Sequence, residues 1–136
     1  MIKFHSEKKE LLPKRSTSKS AGYDFMAPSD YVVPAHGECY FDTGVSIELD
    51  EDKVLLLLVR SSYGFKHKIT LSNGTGVIDA DFYPLTMKCK LRNDSDEDFL
   101  IKKGDKYMQG IIVNYFKTMD DDVNITRKGG IGSTGE

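Results

Sequence analysis

The feature that most limits how this chain can fold is an apolar–polar alternation with a period of two. Residues 87–92 alternate apolar with basic side chains, and residues 45–49 alternate in the same way. This spacing is typical of a β-strand with one face on a core and the other in solvent. Residues 54–59 are apolar throughout and predict a strand buried on both faces. Residues 99–101 and 108–115 are two further predicted strands.

Turn-forming residues separate these segments, whereas apolar residues at helical spacing are nearly absent. The turn signals lie at residues 35–37, 50–52, 72–74, 93–96 and 103–105. Many short strands at such intervals predict an all-β sandwich or barrel. One helical turn fits within residues 62–67.

Length and composition narrow the class of protein. The 136 residues suffice for one domain, which buries roughly two-thirds of its unfolded surface. The net charge of −2 gives no reason to expect nucleic acid or a membrane as a partner. The sequence shows neither an N-terminal signal-peptide pattern nor an apolar run of membrane-spanning length. We therefore expect a protein that is not secreted, in the cytoplasm or in the nuclear or viral-host equivalent.

The residue types that commonly bind structural metals are dispersed. Cys39 and Cys89 lie far apart and match no metal or redox spacing, and the three histidines are scattered among polar neighbours. We therefore interpret the cysteines as structural thiols.

The end of the chain has an unusual composition. After Arg127 and Lys128, almost every residue is glycine or a small hydroxyl residue. Glycines let a backbone approach a ligand closely, and successive N–H groups form a nest for anionic oxygens. Ser133 and Thr134 add hydroxyl donors, and the guanidinium fork of Arg127 suits phosphate. On composition alone, a disordered polar tail is the simpler interpretation, and the rest of the chain decides between the two.

Five polar or glycine-bearing clusters interrupt the predicted strands. They are A-G-Y-D-F at residues 21–25, R-S-S-Y-G at 60–64, N-G-T-G-V-I-D-A-D-F-Y at 73–83, G-D-K-Y-M-Q at 104–109 and the tail at 126–136. Each cluster alone is a weak signal, because such residues are common in turns. Their order and spacing together are specific.

Together these clusters resemble the signatures of the trimeric dUTPase family over residues 19–135. The resemblance implies an all-β, distorted jelly-roll or β-barrel subunit of the β-clip type, assembled as a homotrimer. It divides the chain into a β-barrel domain, residues 1–120, and a flexible glycine-rich C-terminal lid, residues 121–136. The implied reaction is hydrolysis of dUTP to dUMP and pyrophosphate by attack of water on the α-phosphate, which limits uracil in DNA and supplies dUMP.

The resemblance also assigns the reacting groups. Asp79 orients and deprotonates the water, with Gln109 as the second catalytic residue. Mg²⁺ is held mostly by the phosphates, and Asp24 touches it only through water. The alternative for Asp24 is a carboxylate that caps its own turn. The implied phosphate-binding residues are Arg60, Ser61, Ser62, Gln109, Arg127, Gly132, Ser133 and Thr134.

Uracil and deoxyribose recognition falls on the third cluster. The implied residues are Asn73, Gly76, Val77, Ile78, Asp79, Phe82 and Tyr83. The family's tyrosine under the sugar lies three residues after the catalytic aspartate, where this chain has Phe82, and Tyr83 follows as the open alternative. The tail aromatic that covers the base in relatives is Ile131 here, and Tyr63 or Phe65 are candidates to replace it.

The resemblance further implies that three chains share each site, one giving the phosphate-binding clusters, a second the uracil hairpin and a third the tail. Two other functions are compatible with the scaffold. A dCTP deaminase would need a catalytic glutamate after the hairpin, and the chain has none between Asp79 and Asn93. A non-catalytic nucleotide-binding regulatory module is the second alternative.

Overall fold

Short strands make up most of the regular structure in the computed structural model, which describes residues 1–127, 129–131 and 134–135. The strands are β1 Lys3–His5, β2 Tyr23–Met26, β3 Tyr31–Val33, β4 Glu38–Asp42, β5 Ser46–Glu48, β6 Lys53–Val59, β7 Ile69–Leu71, β8 Gly76–Ile78, β9 Lys88–Asn93, β10 Phe99–Ile101 and β11 Lys106–Asn114. The helices are α1 Ser61–His67 and two short 3-10 helices, Lys9–Leu11 and Ala80–Phe82. The predicted all-β class is confirmed.

The strands form several small antiparallel sheets. The largest has the order β2-β11-β6-β8, and a second has the order β4-β9-β7. Two strand pairs, β1-β5 and β10-β3, complete the described part of the chain. Within that part the sheets stay open and do not close into a barrel. No helix in the described ranges is both long and apolar enough to cross a membrane.

The core lies on one face of the four-stranded sheet. Leu55 and Leu57 of β6 are almost completely buried there, whereas Leu56 and Leu58 on the opposite face are only partly buried. The prediction that residues 54–59 are buried on both faces is therefore wrong within a single chain. An uninterrupted apolar run indicates two covered faces, but on the second face Val54 alone is buried among Val54, Leu56 and Leu58. We call this second face the outer face of the sheet.

Two glycines make room for Leu57. Gly76 of β8 and Gly110 of β11 are its partners on either side in the sheet. A Cβ atom at Gly76 would lie 2.9 Å from the Leu57 Cβ, a distance that side chains essentially never show. The two glycines therefore let Leu57 pack at the centre of the sheet, where it also contributes to the pocket described below.

Most predicted elements exist with boundaries shifted by one or two residues. Strand β10 has the predicted bounds, and helix α1 occupies the predicted helical turn. Strands β2, β3, β4 and β8 were not predicted. β2 and β8 lie within clusters that were interpreted only for their polar and glycine residues. The pairing of these strands depends on partners that are distant in sequence.

We expect Gly110→Ala to destabilise the fold by about 1–3 kcal/mol, because a methyl group overpacks this site. Its Cβ would lie 2.8 Å from Leu55 Cδ1 and 3.2 Å from Phe25 Cε1. Gly64→Ala is the matched control, since its Cβ would meet the Ile69 carbonyl oxygen at an ordinary 3.8 Å and alanine favours α1. Urea unfolding measures both variants. Equal stability of Gly110→Ala and the parent would contradict the close packing around Leu57.

Candidate functional site

The turn between β7 and β8 forms one wall of a pocket. Gly74 has a φ of 75°, a conformation that glycine adopts readily, and its N–H donates to the Leu71 carbonyl oxygen at 2.9 Å. The turn is followed by β8, the edge strand of the four-stranded sheet. Strands β7 and β8 belong to different sheets and do not pair with each other. For brevity we call this unit, residues 71–79, the hairpin.

The pocket has a volume of about 270 Å³, close to the lower end of the range for small-molecule sites. The structure brings together there most residues that were predicted to bind the nucleoside and several from the tail. The predicted residues in its lining are Asn73, Gly76, Val77, Ile78, Asp79, Phe82, Arg127, Ile131 and Thr134. Sequence reasoning missed Leu57, Leu71, Lys88, Met108 and Gly130, which also line it. The predicted phosphate ligands Gly132 and Ser133 lie outside the described residues.

The two aromatic residues after Asp79 point to different surroundings. Phe82 lines the pocket. Tyr83 instead packs on His5, with the ring centroids 5.3 Å apart. Of the two candidates left open by the sequence, the structure therefore places the Phe82 ring at the pocket.

Arg127 lies against two carboxylates beside the pocket. Its Nη2 donates to Asp79 Oδ2 at 2.5 Å, and its Nε donates to Asp81 Oδ1 at 2.8 Å. The Arg127 side chain is 14% exposed, and its Cζ lies 5.9 Å from the Phe82 ring centroid. The hydrogen bond that Arg127 donates to Asp81 and the charges of both aspartates raise the pKa of Arg127 above its usual value, against the opposing effect of burial. In the single chain, the tail thus rests on the hairpin of its own chain.

The remaining predicted residues form a second group, which we call the outer cluster: Asp24, Arg60, Ser61, Ser62 and Gln109. Asp24 is opposite Gln109, which is opposite Leu58, so these side chains share the outer face. Arg60 follows β6, and its Nη1 donates to the Lys106 carbonyl oxygen at 3.5 Å. Gly22 makes room for Gln109, since a Cβ at Gly22 would lie 2.5 Å from Gln109 Oε1.

One chain does not bring the two groups together. Ile78 pairs with Leu55, so Asp79 lies near the start of β6, whereas Arg60 follows its end. Because the strands are antiparallel, Asp79 lies at the level of Val54. Val54 precedes Arg60 by six residues, which is about 20 Å at the rise of a strand. None of the outer cluster lines the pocket in the described part of the chain.

The described residues do not offer a protein-bound metal site. They contain no group of three or more His, Cys, Asp or Glu residues placed to hold a metal ion. Asp24 accepts a hydrogen bond from Ser16 Oγ at 2.6 Å, and Lys106 Nζ lies 3.5 Å from its carboxylate. This donor set fits an ion that is bound mainly by phosphate oxygens and water.

Two aromatic residues were candidates to replace the tail aromatic, and the structure separates them. Tyr63 is buried, and burial raises its pKa to about 12, so its ring belongs to the core. Phe65 is 92% exposed on α1. Neither ring lines the pocket.

Two unpredicted residues of this region had a recognisable signal: Asp81, which accepts from Arg127, and Lys88, which lines the pocket. Asp81 lies two residues after Asp79 in the same cluster, a repeated acidic spacing that was interpreted as turn composition. Lys88 was assigned to the solvated face of an alternating strand, but its Nζ contacts Asp42 Oδ2 at 2.5 Å and the residue is partly buried.

Comparison with known proteins agrees with this geometry. The dUTPase family model matches residues 8–135. Deoxyuridine 5'-triphosphate nucleotidohydrolase of Oryza sativa subsp. japonica is 38% identical over 130 residues, covering 92% of this chain and 74% of the rice protein. The crystal structure of dUTPase from Streptococcus mutans matches with a TM-score of 0.78 and 28% identity, covering 85% of this chain and 97% of that chain. A mutant dUTPase from phage phi11 of S. aureus, described with a structural Mg(II) ion, matches with a TM-score of 0.77 and 21% identity, covering 92% and 97%. The chain therefore belongs to the dUTPase family.

Proposed function

We propose that this protein hydrolyses dUTP to dUMP and pyrophosphate. The observation that carries the proposal is the position of Asp79, at a pocket formed by the β8 edge strand and the Phe82 ring. A carboxylate there can reach a water molecule beside a bound nucleotide. Family membership supports the same activity.

Base recognition follows from the position of β8. The strand pairs with β6 along one edge, and edge strands present backbone N–H and C=O groups on the other. Uracil carries an N3–H donor between two carbonyl acceptors, so it can pair with such an edge. Cytosine presents an acceptor and an amino donor at the matching positions and would leave buried groups without partners. A tight hairpin also leaves little room for the methyl group of thymine.

The sugar would lie against Phe82. An aromatic ring gives deoxyribose an apolar face and disfavours a 2′-hydroxyl. Phenylalanine keeps this face and lacks the hydroxyl group of the family's usual tyrosine. Ile131, at the same pocket, would cover the base with an aliphatic side chain.

The triphosphate would need a second chain. Asp79 must contact the attacking water within about 3 Å. Along β6 of the same chain, Arg60 is about 20 Å away and Gln109, which pairs with Leu58, is about 13 Å away. The outer cluster of a neighbouring chain would supply Arg60, Ser61 and Gln109 to the phosphates. We therefore propose sites shared between the chains of a homotrimer.

The outer face of the sheet supports this assembly. Leu56 lies between Ile111 and Val77 across three strands. Val77 is 61% exposed, and Leu56 and Ile111 are only partly buried. An apolar sheet face of this kind is suited to contacts between chains. Which chain supplies the tail in the trimer stays a prediction, because a single chain offers only its own hairpin.

Mg²⁺ fits the site as an ion bound to the substrate. Its donors would be phosphate oxygens and water, with Asp24 acting through water. When bound, the ion neutralises phosphate charge and orients the triphosphate.

The chemistry requires one proton transfer at Asp79. The Asp79 carboxylate accepts a proton from water as the water oxygen bonds to the α-phosphorus. The bond from the α-phosphorus to the bridging oxygen breaks, and pyrophosphate leaves. Arg60, Gln109 and Arg127 would stabilise the charge on the phosphate oxygens. The proton is then released to solvent.

Parallel assays with dUTP, dCTP, dTTP and UTP test the proposal. Pyrophosphate release from dUTP alone is the expected result. Ammonia release from dCTP would instead indicate a deaminase, and tight dUTP binding without turnover would indicate a regulatory module.

Asp79→Asn should lower kcat by about 10²–10⁴-fold, the usual contribution of a general base. Its affinity for an α,β-imido analogue of dUTP should change little, because the amide keeps the shape of the carboxylate. Asp96→Asn, which makes the same charge change on the loop before β10, is the control. Pyrophosphate release and calorimetry measure the two properties. Turnover within a few fold of the parent would exclude Asp79 as the base.

Mixed oligomers should reveal the shared site. Arg60→Ala chains and Asp79→Asn chains should each be nearly inactive alone. Co-expressed, they should recover up to about one quarter of the parent activity, because such a site needs one intact hairpin and one intact outer cluster from different chains. Mass spectrometry of the intact assembly confirms mixing. Mixed oligomers without recovered activity would show that one chain supplies both groups.

Truncation after Asn124 tests our assignment of residues 121–136 as a lid. It should weaken binding of the triphosphate analogue by about 1.5–3 kcal/mol, the value of hydrogen bonds to charged groups. Binding of dUMP should change much less, and melting temperature and oligomer mass should stay near the parent values. Calorimetry with both ligands is the measurement. Equal losses for the two ligands would contradict a role of the tail at the outer phosphates.

A further inference from the structure

The tail arginine and the proposed base are engaged with each other in the nucleotide-free chain. Arg127 donates to Asp79 Oδ2 at 2.5 Å and to Asp81 Oδ1 at 2.8 Å, with separate donor atoms. These are charge-assisted hydrogen bonds, which are stronger than neutral ones. The contact therefore occupies a carboxylate oxygen of Asp79 and two donors of Arg127.

Catalysis needs both groups elsewhere. Asp79 must accept a proton from water, and Arg127 must contact the triphosphate. We propose that Asp81 is a positioning residue that holds Arg127 in a resting position over Asp79, and that the triphosphate must displace Arg127 before Asp79 can act. This inference rests on the proposed function for its kinetic consequence, but not for the contact itself.

Asp81 is suited to this role by its position. It lies on the 3-10 helix Ala80–Phe82, directly after Asp79 and Ala80. Asp79 lines both the nucleotide pocket and the neighbouring groove, whereas Asp81 lines only the groove among the described linings of these two sites. Asp81 can therefore hold Arg127 without occupying nucleotide space.

Tail residues that precede Arg127 also line the neighbouring groove. Asn124 and Ile125 line it together with Val54 and Val77 of the sheet. Ile125 is 82% exposed, so these tail residues border the groove without packing firmly on the sheet.

Displacement depends on the charge of the ligand. A triphosphate offers Arg127 more negative charge than the two carboxylates do, whereas uncharged deoxyuridine offers none. With such a resting contact, only chains in which Arg127 is already released are competent to bind the triphosphate. The apparent affinity is the intrinsic affinity multiplied by the fraction of such chains.

The contact itself is tested without nucleotide. Trypsin cleaves after arginine, and Arg127 is only 14% exposed while paired. We expect Asp81→Asn to raise the rate of cleavage after Arg127 by about two- to fivefold, as for loss of a partly exposed ion pair. Asp81→Glu should keep the parent rate, because it retains the carboxylate. Asp96→Asn controls for net charge. Unchanged cleavage in Asp81→Asn, read by intact mass, would overturn the resting contact.

Steady-state kinetics test the competition. Asp81→Asn should lower the KM for dUTP by about two- to threefold with kcat near the parent value, because a competing contact is removed. Asp81→Glu should restore the parent KM. A raised KM or a kcat reduced tenfold would overturn the proposal, since either result would make Asp81 part of the productive site. If the parent itself does not hydrolyse dUTP, the proposed function fails, and the cleavage experiment still decides the contact.

Discussion

The pairing of β6 with β11 is the constraint on which the other parts depend. It is continuous from Met108 opposite Val59 to Asn114 opposite Lys53. This register places Gln109 on the outer face and Gly110 against the core. It also fixes the distance between the pocket and the outer cluster. Strand β8 pairs with residues Leu55–Leu57 of β6, whereas Arg60 follows the C-terminal end of β6. The sheet therefore keeps these two groups apart within one chain, and this separation supports the proposal that a second chain completes the site.

The sequence predicted what local patterns encode. The alternation of residues 87–92 indicated β9, and the motif around Asp79 indicated a pocket residue. Long-range pairing was not encoded locally, so the position of Asp24 opposite Gln109 could not be derived from either segment alone. The apolar run in β6 indicated two covered faces, and the structure shows one. That difference supports the proposal that the outer face contacts another chain.

The tail shows a second limit of composition. Glycine and small hydroxyl residues fit a disordered segment and an anion-binding segment equally well. Ordering each residue costs roughly 1–2 kcal/mol of backbone entropy, and a few exposed ion pairs do not offset this along the whole segment. The contacts of Arg127 with the hairpin therefore fix one point of the tail. For the glycine-rich part beyond it, the proposed lid would require a ligand that binds several backbone N–H groups at once.

The charge of the pocket explains why one arginine would serve two states. Asp79 lies at the pocket and Asp81 lies beside it in the neighbouring groove. An approaching triphosphate is itself strongly anionic. Two uncompensated carboxylates would repel it. Replacing Asp79 would remove the proposed base, and replacing Asp81 would remove the residue proposed to hold Arg127. Arg127 compensates them while the site is empty. In the proposed mechanism, Arg127 would move to the phosphates when the triphosphate binds, and Asp79 would be released when its proton-accepting oxygen is needed. The positive charge of Arg127 would thus lower the repulsion during approach and contact the phosphates after binding, so that one side chain serves both states.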